Sequence, residues 1–458
     1  MSLATRRPVA GATVAWVLVA VLLGASAARA NPFETIGAGP RASAMLATVA
    51  SGGDASSTFY NPAGLTRGDA TEISISGAYT DLSLEINGRD IDDQPITGTL
   101  LGVLYPTDFF DYRVAIGALV YVPAQRAARL LALPLDQPQF LYYGTRNQRL
   151  VVMAAGALEV TSWLSVGAGL QTLLDTSSEP DFTLVQDPDP SNDQSDPDAD
   201  QLEPQSFGFA SAVQDPVLSP TVGLTFTPDE RLRFGLSYRA EIKAHLAAPF
   251  LVTIQEIELL GLTLADTRFV LPNDAELFFS PQTVSFGGAY TGERLTVDVD
   301  VSWYDYSEFP ATFSAATPTF EGGLAGLILP VPAFLPIAPP ARDIVVPSLG
   351  VEWLAASDAD LDLQLRAGYA YRSAMLRPDR GLTNFLDTTS HVIGLGFGLT
   401  LRDWSRFVPK PLTIDGYTQI HVLETRDIVK DDPASSPYGD LRIGGLGVGG
   451  GIQATVRF

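Results

Sequence analysis

Cysteine is absent from the 458-residue sequence, which removes disulfides, thiolate chemistry and cysteine-based zinc sites from consideration. Histidine is scarce: His245, His391 and His421 are the whole set, and no nucleophile with a base and an orienting partner emerges around them. Positive charge is also in deficit, with 29 Lys and Arg against 52 Asp and Glu. A formal net charge of −23 leaves no basic footprint for a phosphate backbone, so nucleic-acid binding is excluded as a function class. Beyond the N-terminus there is no apolar run fit to cross a membrane as a helix. The nearest, 324–341, carries five prolines, each costing about 3 kcal/mol in a helix interior.

Hydrophobic residues nevertheless make up 46% of the chain. The first thirty contribute a separable part: Arg6 and Arg7 form a positive start, 14–24 is a short apolar core, and Ala28-Arg29-Ala30 reads as a cleavage site. Residues 1–30 are therefore expected to be a secretory signal peptide. Without its three arginines the remainder carries a net charge of about −26.

From Thr71 onward apolar and polar residues alternate with period two, which puts them on opposite faces of strands. Along 232–246, Leu232, Phe234, Leu236 and Tyr238 oppose Arg233, Gly235, Ser237 and Arg239. The same rhythm opposes Val297, Val299 and Val301 to Asp298 and Asp300, and Leu361, Leu363 and Leu365 to Asp362, Gln364 and Arg366. Fourteen such segments are expected, at 71–79, 98–105, 112–121, 149–160, 163–174, 217–226, 231–246, 282–290, 294–305, 344–354, 361–371, 390–401, 412–423 and 445–458. They reach the roughly 9 to 11 residues that a membrane-spanning strand needs. Gaps after odd strands run to roughly 18–42 residues and those after even strands to roughly 2–10, the pattern of an outer-membrane barrel with long outer loops and tight periplasmic turns.

The fold expected is thus all-β: a 14-stranded antiparallel transmembrane β-barrel over 71–458, apolar side chains toward lipid and charged ones toward the lumen. Tyr79, Tyr105, Tyr121, Trp163, Tyr290, Trp303, Trp353 and Tyr371 fall near strand ends, as interfacial girdles do. The lumen charges, Arg233, Arg239, Glu241, Lys243, Asp298, Asp300, Asp362 and Arg366, are mixed in sign and are expected to pair with one another and with the N-terminal segment. The last strand closes on the aromatic Phe458, which resembles the signal read by the barrel assembly machinery.

Residues 31–70 do not alternate. Such a segment either trails in the periplasm or folds into the lumen as a plug, and Phe59, Tyr60 and Leu65 favour the plug. Here the residues resemble a known family. Gly39 to Met45, then Asp54 to Leu65 with Phe59-Tyr60-Asn61-Pro62-Ala63-Gly64 at its centre, resemble the N-terminal hatch of FadL-type outer-membrane transporters of long-chain fatty acids and aromatic hydrocarbons. Ser280 to Tyr290, Asp298 to Trp303, Asp387 and Ser390 to Gly396 extend the resemblance over essentially the whole mature chain.

That resemblance implies a barrel blocked by the hatch and a passive route: capture in the outer loops, transfer to a pocket against the hatch, and lateral release into the bilayer. It also implies that Asn61, Pro62 and Ala63 sit near a lateral gap opened by a kink in the third strand, where Gly117 is best able to bend. It brings no cofactor, no metal and no catalytic residue. The partners implied are a hydrophobic small molecule, outer-membrane lipid and lipopolysaccharide, with the chain a monomer.

Two apolar stretches in expected outer loops, 250–264 with Phe250 and Leu251 and 324–338 with Leu324, Leu327 and Phe334, suit ligand capture or packing on each other as a lid. The aspartate-rich run 187–200 suits a solvated loop or a calcium-binding one. A general diffusion porin, a structural barrel and, furthest away, an outer-membrane lipid hydrolase are the alternative functions.

Overall fold

The computed structural model describes residues 32–458 except 92–94, 125–127, 130–136, 144–147, 186–204, 248–249, 260–261, 272–273, 312–318, 322–336, 382, 403–409 and 434–437. Along 174–185, 205–215 and 244–277 it describes the backbone only. The signal-peptide reading and the aspartate-rich run therefore lie outside the described residues.

All fourteen expected strands are present: β1 (Glu72–Ile86), β2 (Ile96–Phe109), β3 (Tyr112–Pro123), β4 (Val151–Thr161), β5 (Leu164–Val185), β6 (Gln205–Phe226) and β7 (Leu232–Arg239) in the first half. The second half supplies β8 (Thr283–Thr291), β9 (Leu295–Tyr304), β10 (Ile344–Ser357), β11 (Leu361–Arg372), β12 (Ser390–Leu401), β13 (Leu412–Ile428) and β14 (Leu441–Arg457). Each pairs antiparallel with the next, and β14 returns to β1 in register from Glu72↔Arg457 to Ile86↔Ile443. Closure gives every wall strand two neighbours, which is what a backbone in hydrocarbon requires. Short turns at 110–111, 162–163, 292–294 and 358–360 mark one end as periplasmic; the long connections crowd the other.

The alternation sorts as expected. Ile73, Ile75, Leu101, Ile116, Leu224, Phe234, Val299, Leu365 and Ile452 are exposed on the outer face, where lipid covers them. Arg233, Arg239, Asp298, Asp300, Arg366 and Asp415 are buried within. Trp163, Phe226, Phe234 and Phe286 continue as a contacting aromatic stripe, with centroids 5.7, 6.5 and 6.4 Å apart.

Three expectations need correction. Tyr121 belongs to no girdle: it is buried in the lumen, 5.5 Å edge-on from Phe33, because both faces of β3 are apolar and alternation there carries no sign. The seventh wall strand stops at Arg239 instead of 246. Its ladder with β6 ends there, while Ile242–Ala247 carries on the β7 register against Asp274–Ser280, just before β8; Glu241 and Lys243, beyond the β6 ladder, pair with each other at 3.1 Å. Alternation reports a strand, not where one of its ladders stops. Finally, Phe250 and Leu251 lie in a strand, Phe250–Leu259, that forms a hairpin with Leu262–Leu271 and runs parallel to β5 at 181–184. At 22 residues each, β5 and β6 rise well beyond a hydrocarbon layer about 30 Å thick, and this hairpin leans on their extension. Leu324, Leu327 and Phe334 fall outside the described residues.

Candidate functional site: the lumen and the N-terminal segment

The N-terminal residues run through the barrel as α1 (Pro32–Ile36), α2 (Pro40–Met45), α3 (Ser57–Tyr60) and a 3-10 turn, Pro62–Arg67. Proline opens α1, α2 and the 3-10 turn, where its missing N–H costs nothing. Phe33, Ala42, Met45, Val49, Phe59, Ala63 and Leu65 are all buried.

A segment this short cannot hold itself, so the wall supplies its partners. Asp300 Oδ2 accepts from the N–H groups of Thr48 at 2.7 Å and Val49 at 3.0 Å, and Asp298 Oδ2 accepts from Ser51 N–H at 2.9 Å. Asn61 Nδ2 donates to Val49 O at 2.8 Å and to Leu224 O in the wall at 3.1 Å, while its Oδ1 caps the 3-10 turn through Ala63 N–H. Nearer the periplasm Arg41 pairs with Glu352 at 3.1 Å, and Arg366 bridges Glu352 at 2.7 Å and Asp415 at 2.5 Å. Hydrogen bonds to charged partners in such surroundings contribute about 1.5–3 kcal/mol each.

Close approach is the second device. A Cβ at Gly350 or Gly368 would collide with Met45 O, and one at Gly394 with Ala44 O. These glycines are cross-strand neighbours, Gly350↔Gly368 and Gly368↔Gly394, so they form a groove in the inner wall that admits backbone. Across the lumen Gly167 and Gly223, also paired, receive Pro62 and Asn61 in the same way. Glycine at lumen-facing positions of neighbouring strands was the sequence signal for this seat.

Toward the outer mouth, Glu34 of α1 is nearly sealed. Its carboxylate takes Arg239 at 3.1 Å, Tyr306 at 3.3 Å and the Ser280 hydroxyl, and its carbonyl accepts from Tyr142 at 2.8 Å. Burial pushes the Glu34 carboxyl above its ordinary range, and the pull of Arg239, Ser280 and Tyr306 only partly offsets it. Residues 139–143 fold inward from the β3–β4 connection and are wholly buried, Tyr142 stacking 3.4 Å from the Arg372 guanidinium. Neither Glu34 nor Tyr142 was legible in advance, because single contacts made by irregular chain leave no period.

The expected hatch residues are brought together: Phe59 packs 5.3 Å from Phe33 and under Arg239, Tyr60 OH accepts from Ala38 N–H at 3.1 Å, and Asn61, Pro62, Ala63 and Gly64 are buried against β5 and β6. Gly117 is not a kink. The β3 ladder is unbroken on both sides, and Gly117 instead makes room for Thr58 and Leu65. Ser390 and His391 face opposite ways: the Ser390 hydroxyl accepts from Tyr143 OH at 2.7 Å inside, and His391 lies outside between Tyr369 and Glu424, at 2.8 and 2.9 Å.

Three spaces surround the segment. A chamber of about 130 Å³ lies above it, between Glu34, Tyr60, Tyr142, Arg239, Arg372 and His421. A chamber of about 230 Å³ lies below, rimmed by charge: Arg41, Arg67, Glu72, Glu352, Arg366 and Arg457. Outside the wall an apolar groove of about 660 Å³ runs over Gly156, Val166, Gly167, Ala168, Val222 and Gly223.

No family model matches this chain. Alkane uptake protein A of Marinobacter nauticus is 24% identical over 412 residues, spanning 85% of this chain and 84% of that one. Among solved structures, a Pseudomonas aeruginosa FadL homologue superposes with a TM-score of 0.57 at 15% identity, covering 95% of this chain and all of its own. The Pseudomonas putida toluene transporter TodX gives 0.51 at 13% identity, again over 95% of this chain. With its closed fourteen-strand wall and apolar outer belt, the chain has the β-barrel fold of the FadL-type structures it resembles.

Proposed function

We propose that this barrel is a passive channel for uptake of hydrophobic small molecules, with residues 32–67 acting as its hatch. The observation that carries this reading is the filled lumen. Buried anchors on opposite walls hold the segment at mid-height, so a solute meets protein rather than a water column. A general porin has no use for such a filling. The curated relative is named for alkane uptake and the structural neighbour for toluene transport, and both names agree with an apolar cargo.

The charged lower chamber argues for release sideways. An apolar molecule leaving straight down would have to desolvate Arg41, Glu72, Glu352 and Arg366, which the periplasm does not repay. Behind the outer groove no side chain stands between lipid and segment at one pair of positions: Gly167 pairs with Gly223, and Pro62 touches both from within. Lateral release past Asn61, Pro62 and Ala63 at this place has to part β5 from β6, whose ladder is as continuous at rest as that of β3. Capture by the outer hairpin of Phe250 and Leu251 completes the route.

Uptake of labelled toluene, hexadecane and oleate by cells carrying the gene, against a deletion strain, tests the reading. Faster uptake of at least one compound supports it; equal uptake of all three rejects it.

A further inference from the structure

The upper chamber has a chemistry of its own. His421 is buried, 2% exposed, and lines it, yet neither ring nitrogen has a partner among the described residues. Arg372 lines the same space with Nη2 unpartnered while Nη1 pairs with Asp387 at 3.3 Å. Asp300 Oδ1 is likewise unpartnered there. Buried polar groups left in this state attract a hydrogen-bonding occupant.

Charge restricts what that occupant is. Arg239 is answered by Glu34, Arg372 by Asp387, and Asp300 by the Thr48 and Val49 N–H groups. Among the described residues no lining cation is left over for a carboxylate, and a further anion would be buried beside the Glu34 and Asp300 carboxylates. A neutral imidazole, by contrast, carries one unprotonated nitrogen, which accepts from a hydroxyl group without any change of charge. Size restricts it again: an apolar cavity of about 150 Å³ holds benzene, so about 130 Å³ suits one ring and not a long acyl chain. Phe33, Phe59, Tyr60, Tyr142 and Tyr306 supply aromatic walls.

We propose that this chamber is a binding site for a neutral, single-ring aromatic bearing a hydroxyl, which donates to the unprotonated ring nitrogen of His421 and accepts from Arg372 Nη2. The proposal rests on the reading of the barrel as a channel for hydrophobic compounds and narrows the cargo to oxygenated aromatics. His421 is a specificity-determining residue in this account, because toluene leaves both of its nitrogens unanswered.

The test uses the full mature chain in lipid nanodiscs, free of detergent tails, and calorimetric titration with toluene, p-cresol and p-toluate, which share a ring and differ in one substituent. The expected result is p-cresol bound at least about tenfold more tightly than either of the others. His421→Phe should abolish that preference, and His421→Asn, which keeps a donor and an acceptor, should retain most of it; heat-modifiable migration of both variants reports an intact barrel. Toluene or p-toluate binding as tightly as p-cresol, or a preference untouched in His421→Phe, overturns the proposal. Uptake by cells is read separately. Binding selectivity without uptake sinks the channel reading and leaves the site standing, whereas uptake without selectivity does the reverse.

Discussion

Asn61 illustrates how one side chain joins the segment to the wall. It ties Val49 O, Leu224 O and Ala63 N–H together from a fully buried position. Replacing it with alanine removes these bonds and leaves two buried carbonyls and an amide short of partners, a cost of about 1–3 kcal/mol for each group left unsatisfied. Asn61→Ala is expected to raise amide hydrogen exchange across 48–65 while the exchange of β10 to β14 stays as it was; unchanged exchange at Thr48 and Val49 would contradict the assignment. Glu34 adds a dependence on pH. Its carboxyl is raised on folding, so its buried state is favoured fully below the ordinary carboxylate value of 4.5 and loses stability as pH climbs through the raised value. Exchange of residues 33–37, corrected for intrinsic rate, should therefore increase as pH is raised above 4.5, and Glu34→Gln should flatten that rise. A rise of equal size in the variant would assign the effect elsewhere. Asn61 stood out beforehand through its resemblance to a hatch motif, whereas Glu34 sits in a short unpatterned helix whose partners, Arg239, Ser280 and Tyr306, lie far along the chain.

Among the elements, strands were the most legible part of the sequence. Period two is a local property, and a wall with lipid on one side and charge on the other imposes it on every crossing. What alternation lacks is the point where a ladder stops, which is why the loss of β6 beyond Arg239 left no mark along 231–246, and a sign where both faces are apolar, which is why β3 hid the direction of Tyr121. The hairpin beginning at Phe250 was hidden for another reason: Gly261 is the one turn residue between its two apolar runs, and a lone glycine is a weak mark of a turn. Inner-wall glycines carry a prediction at this scale. Gly368→Ala puts a methyl against Met45 O, and backbone has no rotamer through which to yield. The groove of Gly350, Gly368 and Gly394 should then release α2, so that a cysteine placed at Ser43, the sole thiol in this cysteine-free chain, becomes accessible to a polar maleimide in the variant. Continued protection of that thiol would show that the groove does not seat the segment. Arg366, by contrast, holds wall and segment together through Glu352 and Asp415, and Arg366→Ala should destabilise by about 3–5 kcal/mol, read as a lower unfolding temperature of the whole barrel.

For the whole molecule, absence of cysteine and excess of acid find a common explanation in closure. Fourteen strands joined end to end leave no edge to staple, and the acidic side chains inside serve as acceptors for backbone N–H groups and as partners for arginine. The lumen is divided by residues 32–67 into a mixed upper chamber and a charged lower one, and the proposed route follows from that division. Conductance in a planar bilayer addresses it most directly. The intact mature chain should stay electrically silent, and a variant lacking residues 32–67 should open large, steady channels. Large steady steps from the intact chain would mean that water and ions already pass, and the account of a hatch-closed path for apolar cargo would be contradicted.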